Sequence, residues 1–320
     1  MVYVSIILLI IVTIIFGKIG VKLGFSEVVG QLLAGIVLGG SVFNIVQPTN
    51  LIHVISEIGI LLLMLNSGMS SDIKEMKKYI KASVLIAVMG VLVPAIVFPI
   101  AFILLGYSIQ VAIFSGVIFS ATSISITLAV LAEQKKLATT MGAIILSAAV
   151  LDDIIALIAV ILFSIFVGGG GLGINSLLPL VAFAIGILLR KVSFSQQLSS
   201  GFNMIGQWVF YPVFFGAIGL GLAVQNLNDK ILPIIIFSVL AVITKFAGSF
   251  IGAKIAGLSQ NIASAIGAGM ISRGEMALVI TQIGISSKII SEATSGEVII
   301  TVIISTIVAP ILMKPLFSKV

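Results

Sequence analysis

Cysteine is absent from the 320 residues, histidine and tryptophan occur once each, and charged side chains make up only 9%. Without cysteine no disulfide or thiolate metal site can form, and His53 alone cannot build an imidazole-rich metal cluster. The scarcity of charge excludes more. A soluble domain carries about 25% charged and about 45–50% apolar residues. This chain is 60% hydrophobic with a mean hydropathy of +1.34, too apolar to cover itself with a polar surface. Soluble enzymes and nucleic-acid binders are therefore poor candidates despite the net charge of +6. The available chemistry reduces to carboxylates, Lys, Arg, hydroxyls and backbone.

What the chain has in abundance is apolar runs, and a spanning helix needs roughly 20 such residues. Eleven runs lie near 2–16, 27–41, 51–69, 82–105, 110–131, 140–167, 175–190, 203–223, 231–255, 260–286 and 296–317, predicting an all-α polytopic membrane protein. Thirteen Lys and Arg fall in alternate connections, among them Lys74, Lys78, Lys135, Arg190 and Lys254; the opposite connections hold only Lys230 and Lys288. The positive-inside bias puts the thirteen in the cytoplasm, the N-terminus outside and the C-terminus inside a multi-pass protein of the plasma membrane. Read this way, the basic charge is a set of topology determinants beside anionic lipid.

Sliding the sequence on itself by 151 residues pairs Gly17 with Gly168, Gly20 with Gly171, Gly35 with Gly186, Gly68 with Gly219, Gly106 with Gly257 and Gly116 with Gly267. Runs two to six thus repeat as runs seven to eleven. Five is odd, so the second copy enters the membrane upside down, the inverted repeat of secondary transporters.

Ionisable groups inside spans cost a few kcal/mol each and by default mark a pathway or relay. Asp152 and Asp153 sit mid-run, Lys245 lies in the ninth run, and Arg273 and Glu275 lie in the tenth. Neighbours on a helix point about 100° apart, so the two aspartates cannot face one partner. One can pair with Lys245 while the other faces a hydrated cavity where a small cation and a proton compete. A structural ion pair locking two helices is the competing reading. Five Ser or Thr between Ser120 and Thr127, and the register that sets Thr122 opposite Arg273, predict breaks near 121–123 and 272–274. Continuous helices whose hydroxyls bond back to their own backbone are the alternative.

Together these segments resemble the cation:proton antiporter 2 family: VVGQLLAGIVLGG (28–40), SATSISITLAVLAE (120–133), GAIILSAAVLDDIIAL (142–157), PVFFGAIGLGL (212–222), TKFAGSF (244–250) and SRGEMALVI (272–280). The resemblance implies inverted five-helix repeats with two crossed discontinuous helices. It implies panel or dimerisation helices at 1–45 and 175–190, and an ion-transporting core at 51–167 and 203–317. Asp153 looks like the family's ion- and proton-binding aspartate, Asp152 like the acidic position before it, and Lys245 like that position's partner. Thr122 and Ser123 match the unwound part of the crossed helices, and Arg273 with Glu275 the arginine-glycine-glutamate signature. The implied activity is electrogenic Na⁺/H⁺ antiport by a homodimer in a lipid bilayer, with Na⁺ held transiently by the two aspartates and no cofactor, enzyme activity or nucleic acid. K⁺/H⁺ antiport and a transport-inactive shortened scaffold or sensor remain open. An intramembrane aspartyl protease needs its two aspartates on separate helices, which the LDD at 151–153 does not supply. The 92 residues from Asp153 to Lys245 leave out two helices that the family fits there, and Ser70 stands where the family has an acid.

Overall fold

The computed structural model describes residues 2–70, 77–167, 174–190, 192, 195–222 and 230–320, with helix and irregular backbone and no strand among them. Among the described residues six helices are long and apolar enough to cross a membrane, and shorter apolar helices lie between them. Of the residues singled out above, Lys74, Gly168 and Gly171 lie outside the described residues.

The chain forms two compact units. Residues 1–71 and 173–228 make the first, and 72–172 and 229–320 the second. Unit 1 contains α1 (Val2–Lys22), α2 (Glu27–Leu38), α3 (Asn50–Ser70), α8 (Ile174–Leu189), α9 (Ser195–Ile205), a π-helical turn (Gly206–Phe210) and α10 (Tyr211–Leu220). This corrects the expected grouping. The segments 51–69 and 203–223, assigned from sequence to the core, pack with α1, α2 and α8. The reason is glycine. A methyl group at Gly35 of α2 would lie 2.1 Å from the Gly216 carbonyl of α10, and one at Gly68 of α3 would lie 2.2 Å from the Phe183 carbonyl of α8. In a membrane, where lipid is as apolar as a leucine face, such close backbone approach drives helix association. The two contacts are repeat mates, Gly35 meeting Gly219 and Gly186 meeting Gly68.

Unit 2 contains α4 (Ile80–Leu104), α5 (Ile109–Ile118), α6 (Ile124–Glu133), α7 (Thr140–Phe166), α11 (Ile231–Ile255), α12 (Gln260–Gly269), α13 (Glu275–Ser286) and α14 (Glu292–Phe317). The 151-residue register carries α4 onto α11 and α5 onto α12 to the residue. Gly106 and Gly257 turn the chain with φ of 86° and 83°, values that glycine adopts without a steric penalty. Ser108 and Ser259 then cap α5 and α12 by accepting from Val111 N–H and Ile262 N–H.

The runs at 110–131 and 260–286 are each two helices. α5 gives way to α6 across residues 119–123, and α12 to α13 across residues 270–274. The two interruptions touch: Ser123 N–H donates to the Ser272 carbonyl at 2.8 Å, and Ser272 Oγ donates to the Ser123 carbonyl at 2.9 Å. Glycine at 274 permits this approach, since a Cβ there would stand 2.5 Å from Ser123 Oγ.

Candidate functional site

Breaking a helix frees its terminal backbone groups, and in a buried location each needs a partner. Thr127 of α6 donates to the Gly269 carbonyl at the end of α12, at 2.7 Å. Ser120, just past α5, offers its carbonyl to Lys245 Nζ of α11. That contact places an ammonium at the negative end of a half-helix, where a cation is favoured.

Lys245 has a second partner. Its Nζ lies 2.6 Å from Asp152 Oδ1, and both side chains are 0% exposed. Thr122 Oγ1 donates to the other carboxylate oxygen at 2.8 Å. Gly90 on α4 borders the pair, where a Cβ would be in ordinary contact with Lys245 Nζ and Asp152 Oδ1 but would crowd Ser249 Oγ at 2.9 Å. Asp152 is thus held by an ammonium from α11 and a hydroxyl from the break between α5 and α6.

Asp153 contrasts with its neighbour. It is 5% exposed, and its Oδ1 has no hydrogen bond among the described residues. One residue of helical rotation therefore divides the aspartates into a paired carboxylate and one whose oxygen is free to take a proton or a cation. Oxygen donors suit a hard monovalent cation. No group of three or more His, Asp or Glu able to hold a resident metal exists among the described residues.

Arg273 and Glu275 flank the second break but do not join the aspartate pair. Arg273 is 0% exposed, donates from Nη2 to the Ala241 carbonyl at 3.1 Å, and leaves Nε and Nη1 without a hydrogen bond among the described residues. Its own carbonyl accepts from Thr306 Oγ1 of α14. Glu275, at the first turn of α13, accepts from Ser123 Oγ at 3.0 Å and Ser125 Oγ at 2.6 Å. It thereby bridges the starts of α6 and α13, where a negative charge is favoured. Ser123 thus serves the crossing through backbone and side chain together.

One buried acid escaped the sequence reading. Glu297 is 0% exposed, accepts from the Tyr107 hydroxyl and stands 3.3 Å from Lys230 Nζ. The expected helix began at 296, and Glu297 is not among the intramembrane charges singled out from the sequence. The structure starts that helix at Glu292, one turn earlier. Burial and the adjoining carboxylate push the Tyr107 hydroxyl above its ordinary range. The pairing of Lys230, a rare basic residue on its side, with a run-end Glu was the available signal.

A family model described as sodium/hydrogen exchanger, transmembrane, matches residues 5–182 and 172–319. The Na⁺/H⁺ antiporter of Enterococcus hirae is 33% identical over 377 aligned positions, covering 98% of this chain and 97% of that protein. In Bacillus cereus, the probable Na⁺/H⁺ antiporter GerT is 30% identical, covering 98% and 99%, and the Na⁺/H⁺-K⁺ antiporter GerN is 27% identical, covering 94% and 92%. The solved structure of the sodium proton antiporter MjNhaP1 from Methanocaldococcus jannaschii at pH 8 superposes with a TM-score of 0.75 at 14% identity, covering 98% of this chain and 95% of that one. At that identity the likeness shows the fold. An alignment of 377 positions on a chain of 320 means that the Enterococcus protein carries segments without a counterpart here. The two family-model matches overlap at 172–182, so the family pattern restarts close to α8.

Proposed function

The chain belongs to the sodium/hydrogen exchanger family of cation/proton antiporters, and on that footing we propose that it is an electrogenic Na⁺/H⁺ antiporter working by alternating access. The observation that carries the proposal is the buried Asp152–Lys245 pair at 2.6 Å beside an unpaired Asp153 oxygen.

The exchange follows from charge balance. In the proton-loaded form Asp153 is protonated and the Asp152–Lys245 pair is intact, so the trio is neutral and holds two protons. When Na⁺ takes both carboxylates, Lys245 loses its counter-charge, and a buried ammonium without one is costly. It releases its proton, as does Asp153. The trio with Na⁺ then carries one negative charge and has exchanged two protons for one cation. Unequal charge makes turnover sensitive to voltage, at about 2.3 kcal/mol per elementary charge per 100 mV. Thr122 orients the Asp152 carboxylate for the cation, while Arg273 and Glu275 hold the crossing that presents it.

Antiporter names among the relatives support Na⁺ as the cation, and the lysine and arginine bias supports a plasma-membrane orientation with the C-terminus in the cytoplasm. Homodimerisation through the exposed Ile7, Ile11 and Ile15 face of α1 belongs to the same proposal, and native mass spectrometry in detergent reads it. The deciding experiment uses proteoliposomes carrying a pH-sensitive dye, with Na⁺, Li⁺ and K⁺ added in turn, with and without an imposed potential. Na⁺ is expected to dissipate the proton gradient with a voltage-dependent rate, and Asp153→Asn to abolish the response. An Asp153→Asn variant as active as the parent would overturn the assignment. A larger response to K⁺ would replace Na⁺ as substrate, and an inert, folded parent would leave a scaffold.

A further inference from the structure

Glu297, Tyr107 and Lys230 meet at one corner of unit 2. Tyr107 belongs to the turn between α4 and α5, Lys230 directly precedes α11, and Glu297 lies near the start of α14. The Tyr107 hydroxyl donates to Glu297 Oε2, Lys230 Nζ lies 3.3 Å from Oε1, and that ammonium stands 5.3 Å over the Tyr107 ring. Lys230 is 37% exposed while Glu297 is fully enclosed.

The 151-residue register identifies the mates of these residues. Tyr107 corresponds to Leu258, Lys230 to Tyr79 and Glu297 to Leu146. All three mates pack against one apolar cluster that includes Met141, Ile144 and Ala253. The mates of Tyr107 and Glu297 are thus leucines and that of Lys230 is Tyr79, whose hydroxyl meets Thr140, so one copy is ionic where the other carries no charge. A buried ion pair is weak support for stability, since apolar replacements of similar volume are often as stable. The mate corner is a working example within this fold. Stability alone does not account for the charges at 297 and 230.

Position does. A hydrogen bond from Tyr107 and an ion pair with Lys230 fix where Glu297 sits along α14, whereas apolar contact is non-directional. Nine residues further on, Thr306 of the same helix donates to the Arg273 carbonyl in the second break. At 1.5 Å per residue the two points are roughly 13 Å apart on one rod. We infer that Glu297, clasped by Tyr107 and Lys230, is a positioning residue: it sets the axial register of α14 and, through Thr306, the geometry of the break beside the ion site. The inference rests on the exchange reading for its effect on transport, but its structural half stands without it.

The test has two arms. Hydrogen–deuterium exchange compares the segment 270–274 with its mate 119–123 in the parent and in Glu297→Gln. Faster exchange at 270–274 alone is expected, by about tenfold; equal protection in both proteins overturns the inference whether or not the parent transports. In proteoliposomes, Glu297→Gln is expected to raise the apparent KM for Na⁺ at least fivefold with kcat within twofold. Combined with Thr306→Val it is expected to cost no more than the worse single change. Independent sites this far apart act additively to within about twofold, so a double variant whose losses multiply overturns the coupling. The triple variant Tyr107→Leu, Lys230→Tyr and Glu297→Leu reproduces the uncharged corner and guards against simple unfolding. A parent-like Tm with a raised KM supports positioning, and a parent-like KM sinks it.

Discussion

Unit 1 and unit 2 are both built of apolar helices, yet among the described residues only unit 2 buries Asp, Glu, Lys or Arg side chains. Asp152, Asp153, Lys245, Arg273 and Glu297 are at most 5% exposed, whereas Lys18, Lys22, Glu27 and Glu57 of unit 1 all face outward. Unit 1 is held by glycines that let backbones touch. Unit 2 keeps charges where their desolvation must be offset by one another. Similar composition thus builds one part that only has to pack and another that has to compensate, and the second is the part able to change its charge.

The sharpest test of this contrast breaks a compensated pair. Lys245→Ala leaves Asp152 buried with only Thr122, and a loss of about 3–5 kcal/mol is expected. The double variant Asp152→Leu/Lys245→Met should recover most of it while transporting nothing. Thermal unfolding in detergent checks both, and a Lys245→Ala protein as stable as the parent would erase the distinction between the units. Next comes Thr122→Val, which removes a hydrogen bond to a charged group worth about 1.5–3 kcal/mol. A Na⁺ titration of dye recovery should show an apparent affinity at least about tenfold weaker. In unit 1 the matching insult is steric: Gly35→Ala and Gly186→Ala should each cost about 1–3 kcal/mol by overpacking, and by similar amounts because they are repeat mates. Unequal Tm shifts would show that the two contacts are not equivalent. The smallest effect is expected at the exposed Lys314–Glu133 pair, 2.8 Å apart with side chains 42% and 57% exposed. There Lys314→Gln should change stability by under about 1 kcal/mol, so a large shift would mean that surface charge in unit 2 is also structural.

Much of this was legible in the sequence because the membrane enforces it. Apolar run length marks helices, so α11 ends where the runs predicted, and the glycine register revealed the copy that the two turns at Gly106 and Gly257 later displayed. The breaks near 121–123 and 272–274 were visible as hydroxyl-rich interruptions in apolar text. A 100° step between neighbours already required different surroundings for Asp152 and Asp153, and the lone ammonium of the ninth run was the available partner. The grouping of helices was not legible. Whether α3 packs on α8 or among the charged helices depends on backbone approaches at Gly68 and Gly186 that any glycine could make. Glu297 was hidden for a different reason, since a carboxylate near a run's end has the same letters around it whether it reaches water or is roofed by Tyr107. The roles of Arg273 and Glu275 stayed coarse because their partners, the Ala241 carbonyl and the hydroxyls of Ser123 and Ser125, leave no periodic trace.

The bends around Gly106 and Gly257 are a record of descent. One ancestral half, doubled and inserted head to foot, still rounds the same corner with glycine followed two residues later by a capping serine. Handedness and a backbone bond are the same at those two places. The residue between glycine and serine is not, and there Tyr107 and Leu258 give the two corners different chemical characters.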